Sequence, residues 1–167
     1  MNIPDNTILL RPLTMKDFQT VLKWGKDESF CTANGWELNR SEKKLYSWWN
    51  RCVFNEQPNF IRLGIEFQHT LIGYADLADI HPHTAELGIA IGESNLWGKG
   101  IGRIAAQKMI TYGMEHLDIH QFHAETHVTN YRAQKMLKKI GFQEESRLEN
   151  ETSSPYLPFA LHKNKLV

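Results

Sequence analysis

Three glycines at alternate positions, Gly98, Gly100 and Gly102, fall between an alternating apolar run and an apolar-periodic one. Backbone without a Cβ curls tightly there, so several N–H groups converge at the positive end of the helix that follows. That arrangement binds a phosphate or pyrophosphate. Two better-known phosphate loops do not fit. A P-loop needs Lys-Ser or Lys-Thr after its last glycine, and Gly102 is followed by Arg103 and Ile104. A dinucleotide fingerprint needs glycine at position 103, where arginine stands. A merely flexible glycine loop is the plain alternative, but the strand-to-helix junction gives anion binding a mechanism.

Residues 86–110 carry a fuller pattern, Glu86-Leu-Gly followed by Trp97-Gly-x-Gly-x-Gly. This segment resembles the acyl-CoA signature of the GNAT acetyltransferase superfamily, in the form typical of its RimJ/RimL-like branch, the ribosomal-protein N-terminal acetyltransferases. A second block, Asn130-Tyr-Arg-Ala up to Gly141-Phe142, is similar to the family's Asn-x-x-Ser/Ala … Gly-Phe segment. The resemblance implies acetyl-CoA as cofactor and coenzyme A as product. It places the pyrophosphate on the amides of Trp97, Gly98, Lys99, Gly100, Ile101 and Gly102, and the pantetheine arm beside Asn130. Main-chain groups of Ile89 and Ile91 would hold the thioester arm. Trp97 stands where glutamine or arginine is common, and backbone binding implies that this change costs little. Lys99 and Arg103 either add charge-assisted phosphate contacts or are solvated cations. Asn130 equally suits a helix N-cap. Two family acids are missing. Lys138 stands where a tyrosine often protonates the departing thiolate, and Ala133 replaces the branch's serine.

Amine acetylation by direct attack in a ternary complex, the route the resemblance implies, asks little of side chains. The ammonium, with a pKa of about 10, must lose its proton to a general base, often through water. Glu86, at the start of the cofactor strand, is the first candidate. A strand-edge structural carboxylate is its other reading. Glu125 and then Asp76 follow. For the acceptor, the resemblance points to the first two helices, their connecting loop and the last hairpin, hence Asp27, Glu28, Phe30, Trp36 and Tyr156. An acidic pair among aromatics suits a cationic amine. Trp48 and Trp49 belong either to this group or to the core. His116, His120, His123 and His127 would face one way on a long helix, but alternation over 120–128 reads as a strand, so no metal site is expected.

Positioning these groups requires an alternating α/β chain. Residues 8–12 read as a strand. Thr14 with Asp17 reads as a capping signal for a helix to about Lys26. Ser41 precedes a helix over 42–53, and 27–40 reads as loop. Strands follow at 60–67, 71–80 and 84–91, the first two as a hairpin. The helix after the glycines carries Ile101, Ala105, Met109 and Tyr112 on one stripe. A strand over 120–128, a helix through Ala133, Met136, Leu137 and Ile140, and strands at 142–148 and 156–162 complete the chain. The resemblance makes this a single GNAT domain over 1–167, an α/β (α+β) fold. It has a mostly antiparallel mixed sheet of about seven strands, about four helices, and a splay at the acyl-CoA site.

The chain has 167 residues, 41% hydrophobic and 23% charged, enough for one domain with a real core. Nineteen basic residues balance nineteen acidic ones, which argues against a general nucleic-acid or anionic-membrane binder. No apolar run approaches the roughly 18 residues of a membrane span. The N-terminus lacks the pattern of a secretory signal, and two cysteines make no disulfide framework. A cytoplasmic acetyl-CoA-dependent N-acetyltransferase of a primary amine is the expectation, as monomer or homodimer. The amine is either a protein N-terminus or a small molecule. The alternative is a non-catalytic acyl-CoA sensor or interaction module with the same fold.

Overall fold

The computed structural model describes residues 3–164. Strand β1 (Ile8–Arg11) is followed by helices α1 (Phe18–Trp24), α2 (Glu28–Asn34) and α3 (Glu42–Val53). Strands β2 (Ile61–Phe67), β3 (Thr70–His81) and β4 (Thr84–Ile91) come next. Helix α4 (Ile101–Leu117), β5 (Gln121–His127), α5 (Tyr131–Ile140), β6 (Gln143–Glu144) and β7 (Tyr156–His162) close the chain. The sheet order is β1-β2-β3-β4-β5-β7-β6, antiparallel everywhere except between β4 and β5.

Each face of this sheet has its own core. Phe18, Val21, Trp24, Phe30, Leu45 and Trp49 from α1, α2 and α3 pack on Leu71, Tyr74 and Ala90. On the opposite face Ile101, Ile104, Ala105 and Met109 of α4 pack on Ile65, Ala75, Leu77 and Leu87, and Leu137 of α5 joins them. Helix α3 forms where its sequence signals it. The Ser41 hydroxyl accepts the Lys44 N–H at 3.3 Å, and Leu45 and Trp49, four apart, are buried.

The structure differs from the sequence reading in three places. Residues 27–40 are not all loop, because α2 lies inside them and raises the α-helix count to five. Asp27 caps it by accepting the Phe30 N–H at 3.2 Å, and Gly35 ends it in the left-handed conformation at φ 66°. The only buried residues of α2, Phe30 and Cys31, are adjacent and leave no helical spacing to read. The helix after Thr14 opens as a 3-10 turn, Met15–Asp17, and stops at Trp24. The strand expected over 142–148 pairs only at Gln143 and Glu144.

Candidate functional site

Strands β4 and β5 run side by side for three rungs, Thr84–Glu86 against Gln121–His123, and then diverge. Antiparallel pairing alternates between residues that bond to the neighbour and residues that face away. The Gly92 N–H donates to the Ile72 carbonyl at 2.7 Å, so Ala90 and Gly88 also turn to β3. Ile89 and Ile91 turn the other way, into the wedge that β5 leaves open. Beyond β4 a 3-10 turn, Ser94–Leu96, leads to Trp97 and the glycines. Gly98 and Gly100 adopt φ of 80° and 85°, with open space where a Cβ would stand. Conformation, not crowding, demands glycine there. Gly102 is different, because a Cβ would come within 3.1 Å of the Met136 sulfur, so this glycine lets α5 approach α4. Among the described residues no acceptor meets the N–H groups from Gly98 to Arg103. The first one satisfied is Ile104, by the Gly100 carbonyl at 3.2 Å. Unpaired N–H groups at a helix start carry its positive dipole end.

A cleft of about 380 Å³ opens there. Ile89, Ile91, Trp97, Gly98, Gly100, Ile101, Gly102, Arg103 and Asn130 all line it, so the structure gathers these sequence-derived cofactor candidates into one place. Lys99 is not among its lining residues and is exposed. Asn130 caps α5, its side-chain oxygen accepting the Ala133 N–H at 3.1 Å. Its amide nitrogen has no hydrogen-bond partner among the described residues. The sequence reading omits Arg132, Lys135 and Lys139 of α5 and the end of α2, Ala33 and Asn34, all of which line the cleft. The spacing of the three cations, three and then four residues apart, is a signal that they share one helix face. With Arg103 they make four cations, and among the described residues no carboxylate lines the cleft.

Glu86 sits on the last paired rung before the wedge, opposite His123. Its side chain faces the same side of the sheet as Gly88 and Ala90, the side that α1 to α3 cover further along. Partial dehydration raises its carboxyl pKa, the nearby negative charges of Glu125 and Asp79 raise it further, and His123 opposes them. Glu125 shares this open face, two residues beyond His123 on β5, and is exposed. Asp76 comes closest to the strand itself. A Cβ on Gly88 would lie 3.7 Å from its carboxylate oxygen. Two bonds of 2.7 Å from Arg62 hold that carboxylate, and burial pushes its pKa up despite them. The guanidinium of Arg62 lies 4.2 Å from the Tyr74 ring centroid, so Asp76 is built into a packed ion pair rather than left free to take a proton.

The acceptor candidates separate. Trp36 stacks edge-on with Phe30 and Trp48, both at 4.9 Å, and donates its indole N–H to the Tyr74 hydroxyl at 3.3 Å. Phe30 is fully buried beneath it, so its contribution is packing. Asp27 serves α2 as its cap, and the Ser94 hydroxyl bond lowers its pKa. Glu28 is exposed on the first turn of α2. Tyr156 lies across the sheet on β7, 48% exposed and edge-on to His127 at 5.7 Å. On α5, Ala133 lines the cleft. Lys138 and Tyr131 border an adjoining groove that shares Lys135 and Lys139 with the cleft. Among the described residues no three His, Cys, Asp or Glu side chains gather as a metal site, and no helix is long and apolar enough to cross a membrane.

The model of the GNAT acetyltransferase domain matches residues 7–143. Uncharacterized protein MJ1062 of Methanocaldococcus jannaschii is 27% identical over an alignment of 158 residues that covers 88% of this chain. It spans only 30% of that relative's length. Two solved structures share the fold. Spermidine N-acetyltransferase from Vibrio cholerae, in complex with CoA and spermine, has a TM-score of 0.78 at 21% identity, covering 96% of this chain and 98% of that one. RimL, a ribosomal L7/L12 α-N-protein acetyltransferase in complex with coenzyme A, has a TM-score of 0.81 at 16% identity, covering 99% and 100%.

Proposed function

This chain belongs to the GNAT acetyltransferase family, and from that premise we propose that it transfers an acetyl group from acetyl-CoA to a primary amine. One observation carries the reading. In a chain of zero formal charge, four cations and a run of unpaired N–H groups surround a cleft that no carboxylate lines among the described residues. A polyanion with a narrow apolar arm fits that donor set. The diphosphate belongs at the start of α4, and the arm belongs between Ile89 on β4 and Asn130 on α5. Acetyl-CoA, when bound, supplies the activated thioester.

The chain's own groups do the rest. The Ile89 N–H, turned into the wedge, is placed to donate to the acyl oxygen as negative charge builds on it. Glu86 takes the proton from the amine. Successive same-face residues lie about 6.6 Å apart along a strand, so a water between Glu86 and the amine at Gly88 completes the relay. A raised carboxyl pKa strengthens the base for that task. The open face with Glu86 and Glu125 suits a cationic acceptor, with Trp36 and Tyr156 at its margins. Spermine on the Vibrio enzyme and a protein N-terminus for RimL are both cationic amines. We place the enzyme in the cytoplasm, as monomer or homodimer, consistent with two free cysteines.

A second reading, a non-catalytic acyl-CoA sensor, draws on α5. Ala133 at the cleft has no proton for a leaving thiolate, and Lys138 lines a different groove. Water is the remaining proton donor. Thiol release from acetyl-CoA against N-terminal peptides, polyamines, amino acids and aminoglycosides decides between the two. Turnover on any of them supports transfer. Binding of the cofactor with turnover on none supports the sensor, and no binding removes both.

A further inference from the structure

Trp97 touches both walls of the cleft. Its indole N–H donates to the Ile91 carbonyl of β4 at 2.9 Å. On the other side the Arg132 guanidinium of α5 lies over the Trp97 ring, 4.2 Å from its centroid. Ile91, Trp97 and Arg132 all line the same space. The backbone between these contacts is fixed as well. Trp97 ends a 3-10 turn by donating its own N–H to the Ser94 carbonyl at 3.1 Å, and Gly98 follows in the left-handed region.

Each contact answers a need that the splay creates. The Ile91 carbonyl faces a wedge from which its neighbour strand has departed, so it has no strand partner. A carbonyl left without a donor in such a wedge is costly. The indole meets that demand. Arg132 has no ion pair or hydrogen bond to a protein group among the described residues. On the exposed first turn of α5 it would otherwise sample many rotamers, and ordering them on binding weakens affinity. Stacking on a ring face uses the guanidinium's flat side and leaves its N–H edges free for a phosphate.

We propose that Trp97, anchored to β4 by its bond to the Ile91 carbonyl, is a positioning residue that holds the Arg132 fork toward the diphosphate. The cofactor affinity of a backbone loop thereby depends on one side chain. This inference rests on the coenzyme A reading, and its test separates the two.

Calorimetry with desulfo-coenzyme A is run on the wild type, Arg132→Ala, Trp97→Leu, the double variant and Trp97→Phe, over a salt series. Arg132→Ala should weaken binding about tenfold, the scale of one charge-assisted contact, and flatten the salt dependence. Trp97→Leu should do nearly the same, the double variant should be no worse than Arg132→Ala by more than about twofold, and Trp97→Phe, which keeps a ring face, should recover most of the salt dependence. In turnover, the effect should fall on the KM for acetyl-CoA and not on that for the amine. Fully additive losses, or a Trp97→Leu variant that keeps the wild-type salt dependence, overturn the inference. If Trp97→Leu does not fold, Arg132→Lys decides. It keeps the charge but cannot stack as a planar fork, so wild-type affinity in that variant overturns the inference, and a loss close to that of Arg132→Ala supports it. A wild type with no affinity for desulfo-coenzyme A refutes the cofactor reading itself.

Discussion

The two halves of the site are built from different materials. On the proposed cofactor side the donors are main-chain N–H groups, arranged by two left-handed glycines, a helix start and a strand whose neighbour has left. On the proposed acceptor side the working groups are side chains, Glu86, Glu125, Trp36 and Tyr156, carried by three strands and the segment after α2. A backbone site tolerates nearly any side chain that permits the fold, so its chemistry is set by conformation. A side-chain site is set by identity and changes with every substitution. The difference teaches where selectivity for the acceptor has room to vary while the donor stays fixed.

The sharpest way to break this division is Glu86→Gln. If the acceptor half works through identity, kcat falls about 10²- to 10⁴-fold, the range for loss of a general base, while affinity for desulfo-coenzyme A stays within about twofold. The acid limb of kcat/KM in the wild type should lie above the ordinary carboxylate range, because Glu86 is harder to ionise in place, and the variant should lose that limb. Stability moves the opposite way. A carboxyl whose pKa is raised on folding opposes the folded state once ionised, so replacing it leaves Tm at neutral pH unchanged or higher. A structural strand-edge carboxylate would lower Tm and spare kcat.

Gly100→Val tests the other half. At φ 85° a β-branched residue is strained by roughly 1–2 kcal/mol, and relief of that strain turns the N–H groups away from their common point. Coenzyme A affinity should fall about tenfold or more, with the KM for the amine unchanged. Gly102→Ala sharpens the contrast. Its Cβ meets only the end of the flexible Met136 side chain, so the loss should be several times smaller. Equal losses at both positions would mean that helix packing, not loop conformation, makes the site.

That same contrast explains what is legible in the sequence. Glycine spacing reports backbone conformation directly, so the places of Gly98, Gly100, Ile89, Ile91 and Asn130 at the cleft follow from residue pattern and family resemblance together. Alternation and helical periodicity locate the seven strands and four of the five α-helices. Helix α2 stays hidden because it buries only the adjacent pair Phe30 and Cys31, which gives no i, i+3, i+4 pattern, although Asp27 and Gly35 bracket it as cap and stop. Arg132, Lys135 and Lys139 escape notice since a run of exposed cations on a polar helix face looks merely solvated until the glycine turn and the end of α2 are found on the same cleft. The Trp97 side chain carries no weight in a reading that expects its backbone to bind. Its two side-chain contacts depend on the angle between β4 and α5, which no local pattern encodes. Phe30 falls into the acceptor group for the same reason, since nothing local tells a buried aromatic from a cleft-lining one.

The smallest effect concerns the residue that joins the halves. Asp27 caps α2, whose last turn supplies Ala33 and Asn34 to the cleft, and accepts a bond from Ser94 in the turn that leads to Trp97. Asp27→Asn keeps an oxygen for the cap but removes the charge that the Ser94 bond favours. The loss should be about 0.5 kcal/mol in urea unfolding at neutral pH, at the low end for a cap that is changed rather than deleted. Its pH dependence identifies the cause. The folded carboxyl titrates below its unfolded value, so the unfolded chain takes up the proton first as pH falls. The charge-dependent stability is therefore present at neutral pH and disappears as the solution is acidified through the folded pKa, where wild type and variant converge. A gap that persists in acid would assign the effect to amide geometry at the cap, and α2 would then hold its place at the cleft without help from the acidic side of the site.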